Sequence, residues 1–197
     1  MTPNVIIVDS GANLASLQFA LQRLKCRAKV TLDGPTIASA ERVFLPGVGA
    51  AGHAMRRLRD AGLIDVLRTL TQPVLGICLG MQLLFRRSAE GATACLSMLP
   101  SVVQSLTATP GLPVPHMGWN ELQPLREDPL LDGIEKGDQA YFVHSYAAPV
   151  TEHTLASSEY GLAIAAVVRH KNFWGTQFHP ERSSRTGARV LENFLRL

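Results

Sequence analysis

The chain has 197 residues, of which 46% are hydrophobic and 18% are charged, and it contains 16 Gly and 12 Pro. These values lie near the average of globular proteins and exclude a collagen, a coiled coil and a wholly disordered chain. The 19 Lys and Arg residues exceed the 16 Asp and Glu residues only slightly, for a net charge of +3. The length predicts a single domain over residues 1–197.

The chain has three cysteines, Cys26, Cys78 and Cys95, which are too few for a disulfide framework and indicate a reducing compartment. Their spacing to each other and to histidines is not that of a zinc site, so we expect neither a metal nor a cofactor. The apolar run Val5–Val8 is too short for a signal peptide, and no run approaches the length that spans a bilayer. We therefore expect a cytoplasmic protein that does not bind membranes.

The first 90 residues predict three successive βα units. The strands are apolar runs that end in turn signals, namely Val5–Val8, Arg42–Leu45 and Pro73–Ile77. The helices carry apolar residues at helical spacing, namely Leu14 to Leu24, one helix running through Met55 and Leu58 on to Leu63–Leu70, and Leu79–Phe85. This alternation predicts an α/β fold with an open, largely parallel sheet flanked by helices.

The second half of the chain has a different pattern. Residues 91–140 are rich in Pro and Gly and have weak periodicity. Three apolar segments, Tyr141–Val143, Ala163–Val168 and Asn172–Phe178, are typical of strands, and we expect them to form an antiparallel edge. A final amphipathic helix is predicted around Val190 to Leu195.

The most informative segment is Gly76-Ile77-Cys78-Leu79-Gly80, between the third predicted strand and its helix. A nucleophile on a tight strand-to-helix turn needs small residues two positions before and after it, because larger side chains collide with the neighbouring backbone. The helix N-terminus that follows favours a thiolate. Most cysteines are small buried core residues, but both glycines and the flanking elements favour Cys78 as a nucleophile.

A cysteine nucleophile needs a base, and the base needs a group that orients it. Of the six histidines, His179 follows an apolar strand segment, and Glu181 comes two residues later. We expect Pro180 to keep the backbone extended, so that the side chains at 179 and 181 point to the same side. A single histidine is more often structural than catalytic, so this pair gains its significance from Cys78.

An acyl-transfer site also needs hydrogen-bond donors for an oxyanion. The backbone N–H of Leu79 follows the nucleophile directly. The turn Gly47-Val48-Gly49 follows a predicted parallel strand and lies at the same sheet edge. An ordinary βα turn is the alternative, whereas a phosphate loop is excluded because the Lys-Ser/Thr ending is absent.

Taken together, these motifs resemble those of class I glutamine amidotransferases in order and spacing. The resemblance covers essentially the whole chain and implies a flavodoxin-like fold with a strand–helix nucleophile elbow. Two further blocks resemble the subfamily of glutaminase subunits of imidazole glycerol phosphate synthase. The blocks that carry these two resemblances are Pro46–Gly49, Gly76–Gln82 and Gly175–Glu181 for the family, and Pro115–Asn120 and Tyr141–Tyr146 for the subfamily.

The resemblance implies an activity and a partner. The chain would hydrolyse glutamine to glutamate and ammonia, and a (β/α)₈-barrel cyclase subunit would use the ammonia to form imidazole glycerol phosphate in histidine biosynthesis. Cys78 would attack the glutamine amide, His179 would protonate the departing ammonia and then activate water, and Glu181 would orient His179.

The resemblance also implies roles for residues around this triad. The residues expected around the oxyanion are Val48, Gly49 and Leu79. An N–H of the Pro46–Gly49 segment is expected to turn inward only when the partner is loaded, that is, when the cyclase subunit has bound its nucleotide substrate. The residues expected to line the glutamine pocket are Gln82, His144, Ser145 and Tyr146. The residues expected to face the barrel are Asn13, Trp119 and Tyr141, and ordinary core aromatics are the alternative for the last two.

Three other functions compete with this interpretation. A glutaminase of the same fold could serve another pathway, such as anthranilate, aminodeoxychorismate or pyridoxal phosphate synthesis. A non-catalytic binding module of the same fold is disfavoured by the intact triad. Nucleic-acid binding is disfavoured because the candidate arginines are interleaved with acidic residues and lack base-stacking aromatics; they are Arg56, Arg57, Arg59, Arg86 and Arg87.

Overall fold

The computed structural model describes residues 3–11 and 14–197. The strands are β1 (Val5–Val8), β2 (Ala28–Thr31), β3 (Arg42–Gly47), β4 (Val74–Cys78), β5 (Phe85–Ser88), β6 (Thr93–Ala94), β7 (Leu99–Ser105), β8 (His116–Glu121), β9 (Gln123–Pro124), β10 (Gln139–His144), β11 (Tyr146–Ala147), β12 (Thr154–Glu159), β13 (Ala163–His170) and β14 (Phe173–Thr176). The α-helices are α1 (Ala15–Arg23), α2 (Gly34–Ala38), α3 (Ala51–Asp60), α4 (Leu63–Thr69), α5 (Leu79–Leu83) and α6 (Ser184–Arg196). Short 3₁₀ turns lie at Glu90–Ala92, Pro129–Leu131 and Pro180–Arg182.

Among the described residues, the main sheet contains eight strands in the order β2-β1-β3-β4-β14-β13-β12-β9. The strands from β2 to β14 in this order are parallel, and β13, β12 and β9 continue the sheet in antiparallel fashion. Smaller sheets are formed by β10-β8 and by β11-β7-β5-β6. The predicted α/β fold with an open, largely parallel sheet flanked by helices is therefore confirmed.

The interior parallel strands β1, β3 and β4 are buried on both faces, which explains why their sequences are largely apolar runs. In β1, Ile6 and Val8 pack into the cluster beneath α3 and α4, whereas Val5 and Ile7 pack into the cluster beneath α1 and α6. Successive side chains of a strand point to opposite faces, so one strand contributes to both cores. No helix within the described ranges is long and apolar enough to cross a membrane.

The single helix predicted through Met55 and on to Leu70 is wrong. Two helices, α3 and α4, occupy this segment, and Gly62 between them has a φ of 67°. This left-handed conformation, which glycine adopts without steric cost, ends the first helix and redirects the chain.

The helix predicted over Leu79–Phe85 is shorter than expected and ends at Leu83. The carbonyls of residues 83–85 accept hydrogen bonds from the amides of residues 96–98 rather than from a further helical turn. Phe85 consequently begins strand β5. The pairing partner is distant in sequence, so helical periodicity alone does not reveal this early end.

The expected antiparallel edge is correct only in part. Residues Tyr141–Val143 belong to β10, which pairs with β8 in a separate sheet, so their placement at the edge of the main sheet is wrong. Strand β14 pairs with β13 in antiparallel fashion, but it also pairs with β4 in parallel and is therefore an interior strand. This interior position carries the residues that follow β14 to the same sheet edge as Cys78.

We predict that Gly80→Ala strongly destabilises the protein. A Cβ at this position would lie 1.6 Å from the carbonyl oxygen of Leu45, so α5 would have to move away from β3. The free energy of unfolding should fall by about 3 kcal/mol, as for other overpacked cores, and urea denaturation measures this change.

The matched control is Gly52→Ala, on helix α3. Its added Cβ would meet only side-chain atoms, the nearest being Thr93 Oγ1 at 3.3 Å, and alanine is the better helix former. We expect the control to keep its stability within about 0.5 kcal/mol of the parent. Equal stability of both variants would contradict the close contact between α5 and β3.

Candidate active site

Cys78 is the last residue of β4 and directly precedes α5. Its backbone has φ 53° and ψ −110°, a conformation that residues other than glycine rarely adopt. Such a backbone persists only where the surrounding structure holds it, and it is concentrated at functional sites. The strand–helix turn predicted at Cys78 is therefore present.

The two glycines that flank this turn are required by close backbone contacts. A Cβ on Gly76 would lie 2.7 Å from the carbonyl oxygen of Gly80, and a Cβ on Gly80 would overlap the Leu45 carbonyl. Neither position has room for a side chain unless β3, β4 or α5 moves. These contacts fix the direction in which the Cys78 side chain leaves the sheet.

His179 and Glu181 form a hydrogen-bonded pair, with 2.8 Å between His179 Nδ1 and Glu181 Oε1. The expectation that Pro180 keeps this segment extended is wrong, because residues 180–182 form a 3₁₀ turn. Proline suits the first position of such a turn, since its missing N–H is not needed there. The turn brings the carboxylate back to the imidazole, so the predicted pairing arises through a different backbone geometry.

The pKa of His179 reflects opposing effects. Burial by itself lowers the pKa, but hydrogen bonds and charge interactions with Cys78 and Glu181 outweigh it and raise the pKa to about 10. Cys78 and His179 line the same pocket, so the imidazole lies near the thiol. The site thus favours an imidazolium beside a sulfur, which is the arrangement that activates a cysteine nucleophile.

The sulfur of Cys78 lies among polar groups although the residue is buried. Cys78 Sγ is 3.7 Å from the carbonyl oxygen of Val143 and 3.8 Å from Gln177 Nε2. Gln177 is fully buried and also accepts a hydrogen bond from Gln82 Nε2 at 3.0 Å. Its amide therefore links the floor of the pocket to the sulfur.

A pocket of about 360 Å³ opens above Cys78. It brings together the candidate nucleophile and base, the three candidate oxyanion residues and the four candidate glutamine-binding residues. The residues that line it are Val48, Gly49, Cys78, Leu79, Gln82, Glu90, Pro115, Val143, His144, Ser145, Tyr146 and His179. Glu181 reaches this pocket through His179.

Three lining residues, Glu90, Pro115 and Val143, were not predicted from the sequence. Glu90 is the most consequential of the three, because it brings a carboxylate into the pocket in addition to Glu181, which is paired with His179. Its Oε2 accepts a hydrogen bond of 2.7 Å from the backbone N–H of Ala51, the first residue of α3. Glu90 lies between the helix predicted to end at Phe85 and the weakly periodic residues 91–140, so the sequence pattern gives no signal for this position.

The Val48–Gly49 turn directly follows the last register pair of β3 and β4, Gly47 opposite Cys78. Gly49 has a φ of 81°, and the side chain of Val48 is 45% exposed. Before the turn, the carbonyl of Pro46 accepts a hydrogen bond from the Ser10 hydroxyl. The turn is thus anchored at its start and placed beside the thiol, as an oxyanion site requires.

Two of the candidate glutamine-binding residues, Gln82 and His144, are held by hydrogen bonds to the backbone carbonyl of a third, Tyr146. Gln82 Nε2 donates to the carbonyl oxygen of Tyr146 at 2.8 Å, and His144 Nδ1 lies 2.9 Å from the same oxygen. Gln82 and His144 are both buried. Ser145 lies between His144 and Tyr146 in the sequence. Its carbonyl oxygen accepts a hydrogen bond of 2.9 Å from the backbone N–H of Leu106, which fixes the entry to β11.

Two of the three candidate partner-facing residues lie side by side. Trp119 on β8 is opposite Tyr141 on β10, and their rings meet edge to face with centroids 6.0 Å apart. The Trp119 side chain is 52% exposed, so the alternative that it is a core aromatic is wrong. Met117, two residues earlier on the same strand face, is also exposed. Asn13 lies outside the described residues.

A larger open cleft of about 920 Å³ lies beside the Pro129–Leu131 turn and the end of α6. It contains none of the predicted site residues. Its buried acid, Asp128, is already bound by Arg169 at 2.7 Å and by the indole N–H of Trp174 at 3.1 Å. Cleft size therefore does not mark the candidate site, because the candidate nucleophile and its candidate base line the smaller pocket.

The sequence and the fold have clear relatives. The family described as glutamine amidotransferase class-I matches residues 6–197. The imidazole glycerol phosphate synthase subunit HisH of Xanthomonas euvesicatoria pv. vesicatoria is 52% identical over 197 residues, 100% of this chain and 98% of that protein. The subunit of the same name from Idiomarina loihiensis is 52% identical over 195 residues, 98% of each chain.

A solved structure of a glutamine amidotransferase superposes with a TM-score of 0.76 at 18% identity, over 98% of this chain and 97% of that one. At this identity the likeness concerns the fold alone. The chain belongs to the class I glutamine amidotransferase family and, within it, to the HisH subunits of imidazole glycerol phosphate synthase.

We predict that Glu181→Gln lowers the pKa of His179. The carboxylate helps to raise this pKa to about 10 in the parent protein, and an uncharged amide stabilises the imidazolium less. A raised folded-state pKa stabilises the protein fully below the unfolded value and loses this effect as pH rises through the folded value. The stability difference between parent and variant should therefore shrink at alkaline pH, and NMR titration of the His179 imidazole measures the shift directly.

The matched control is Glu152→Gln, which alters the pair formed by the exposed Glu152 and the half-buried His153, 3.6 Å apart. This variant should leave the titration of His179 unchanged. An unaltered His179 titration in the Glu181 variant would mean that the carboxylate does not stabilise the imidazolium.

Proposed function

We propose that this chain is the glutaminase subunit of an imidazole glycerol phosphate synthase and supplies ammonia for histidine biosynthesis. One observation carries the proposal: Cys78, on its strand–helix turn, lines the same pocket as His179, and His179 is hydrogen-bonded to Glu181. The identity of about half of all residues to subunits named HisH supports this pathway over a glutaminase of the same fold in another one.

The proposed reaction has two steps that share one histidine. The Cys78 thiolate attacks the side-chain carbonyl carbon of glutamine, and an S–C bond forms. His179 donates its proton to the amide nitrogen, the C–N bond breaks and ammonia leaves. His179 then takes a proton from water, the hydroxide attacks the thioester, and glutamate leaves as the S–C bond breaks.

The oxyanion of both tetrahedral intermediates needs donors on the side of the pocket opposite the base. The N–H of Leu79 follows the nucleophile, and the Val48–Gly49 turn lies beside it. Removing one such donor typically costs about 10²–10³ in rate. We propose that the Val48–Gly49 turn supplies its N–H when the partner is loaded, which makes turnover depend on the partner.

Recognition of glutamine is proposed to use the polar wall of the same pocket. Gln82, His144, Ser145 and Tyr146 line one side, and Glu90 lines it near the start of α3. A carboxylate is the natural partner of the α-ammonium group of an amino acid. Because Glu90 also binds the Ala51 N–H, this contact would connect substrate binding to the segment that follows the oxyanion turn.

The proposed partner is a (β/α)₈-barrel cyclase subunit that receives the ammonia. Ammonia is lost by protonation in water, so the two sites must communicate through a passage from which water is excluded. The exposed side chains of Met117 and Trp119, with Tyr141 beside them, offer the apolar and aromatic contacts typical of interface centres. A cytoplasmic location remains a prediction, supported by three cysteines that are all free.

We predict that Cys78→Ala abolishes glutamine-dependent synthesis by the complex but spares synthesis from ammonium salts. Glutamine-dependent turnover should fall by about 10³-fold or more, because no nucleophile remains. The measurement is product formation by the complex with each nitrogen source. Cys26→Ala, at a buried cysteine outside the pocket, should leave both activities intact, and loss of ammonia-dependent synthesis in the Cys78 variant would contradict the assigned role.

We also predict that the isolated chain hydrolyses glutamine near background and that the complex with bound nucleotide is strongly stimulated. The physical reason is that the Val48–Gly49 donor is turned into the pocket only in the loaded complex. Glutamate release by the chain alone, with the empty partner and with the loaded partner measures this. Equal rates in all three states would contradict control by the partner.

Trp119→Ala should weaken binding of the barrel subunit by about 2 kcal/mol, as for a central aromatic anchor. Isothermal titration calorimetry with the purified barrel measures the loss. Leu125→Ala is the matched control, because Leu125 is 50% exposed but follows β9 at the outer edge of the main sheet. An equal effect of both substitutions would place the partner elsewhere.

A further inference from the structure

Two histidines form a buried pair beside the triad. His116 on β8 and His144 at the end of β10 are opposite each other, and His116 Nδ1 lies 3.0 Å from His144 Nε2. Both are buried, with 3% and 6% exposure. His144 was predicted to line the glutamine pocket, whereas no role had been assigned to His116.

The hydrogen bonds at both ends of this pair fix where the protons lie. The carbonyl oxygen of Tyr146 can only accept, so His144 Nδ1, at 2.9 Å, must carry a proton. At the other end, Asn120 Nδ2 donates to the carbonyl oxygen of Glu159 at 2.8 Å, and Asn120 Oδ1 accepts from the N–H of Glu121 at 2.8 Å. The orientation of the Asn120 amide is therefore determined.

The proton positions between these ends follow. Asn120 Nδ2 faces His116 Nε2 at 3.3 Å, so that nitrogen accepts. His116 Nδ1 then carries the proton of a neutral ring and donates to His144 Nε2, which accepts because Nδ1 of that ring holds the proton. A charged form of either ring would place an N–H against another donor.

The surroundings agree with two neutral rings. Burial lowers the pKa of His116 to about 4 and that of His144 to about 4. His116 is stacked between aromatic rings, with centroids 4.9 Å from Phe142 and 3.9 Å from Tyr160. A buried polar chain in which every member has a partner holds a single arrangement.

This series of hydrogen bonds ends at the Tyr146 carbonyl oxygen, which also binds a residue of the candidate glutamine pocket. The Tyr146 oxygen accepts from Gln82 Nε2 at 2.8 Å, and Gln82 Nε2 also donates to Gln177 Oε1 at 3.0 Å. Gln177 Nε2 in turn lies 3.8 Å from Cys78 Sγ. Hydrogen bonds thus connect Asn120 to the sulfur of the nucleophile through the wall of the glutamine pocket.

We propose that His116 is a positioning residue of this glutaminase site, which holds His144 in one tautomer and thereby fixes the Tyr146 carbonyl and the Gln82–Gln177 pair beside Cys78. The expected effect on kinetics rests on the proposed function. The hydrogen-bond relay Asn120–His116–His144 does not, because it is a property of the folded chain. The competing role for His116 is packing, since it is stacked between Phe142 and Tyr160.

Two substitutions distinguish a relay from packing, because the two roles predict opposite rankings. His116→Phe keeps a ring between Phe142 and Tyr160 but removes both hydrogen bonds. His116→Asn loses the ring stack but places an amide donor near the position of Nδ1. In the complex with the loaded barrel subunit, we expect His116→Phe to lower kcat/KM for glutamine about tenfold or more, mainly by raising KM, and His116→Asn to recover most of it.

A second measurement reads the relay without any turnover. In imidazole ¹⁵N-labelled protein at pH 7, NMR should give neutral Nδ1–H tautomers for both His116 and His144, and His144 should lose its single tautomer in His116→Phe. A cationic or Nε2–H His144 in the parent protein would overturn the relay, as would an active His116→Phe beside an impaired His116→Asn. Absence of glutaminase activity together with the expected tautomers would refute the proposed function and, with it, the kinetic role of His116.

Discussion

One steric contact governs the site: helix α5 begins so close to β3 that only glycine fits at position 80, against the carbonyl of Leu45. This contact forces the chain to turn sharply after β4, and Cys78 takes a positive φ at the turn. The thiol therefore leaves the carboxyl edge of the sheet instead of entering the core. Because β3 continues directly into Val48 and Gly49, the same contact sets this candidate oxyanion turn beside the sulfur.

Two largely buried pairs of groups stand at the pocket. The His179–Glu181 pair favours charge, whereas the His116–His144 pair favours neutral rings. His179 has a carboxylate and a thiol as partners, and these raise its pKa against the effect of burial. His116 and His144 have an amide, a carbonyl and each other as partners, so burial lowers their pKa values. In the proposed mechanism, the partners rather than the depth of burial decide that His179 exchanges protons and that His116 and His144 hold the pocket wall.

Much of the fold and of the candidate site could be predicted from the sequence, because the signals that reveal them are local. The apolar strands β1, β3 and β4, the glycines around Cys78 and the spacing of His179 and Glu181 depend on neighbours within a few residues. The interior position of β14, the early end of α5 and the contact of Glu90 with Ala51 depend on pairings between distant segments, which periodicity does not contain. His116 and Asn120 were part of a predicted block, but only the β8–β10 register reveals what they bind.

The central claim is that Cys78 carries the glutamyl group during turnover. Rapid acid quenching of the loaded complex during glutamine turnover, followed by peptide mass spectrometry, tests it directly. The account predicts a γ-glutamyl thioester on the peptide that contains Cys78, and none on those that contain Cys26 or Cys95. Steady glutamine hydrolysis with no adduct on Cys78, or with an adduct on another cysteine, would contradict it.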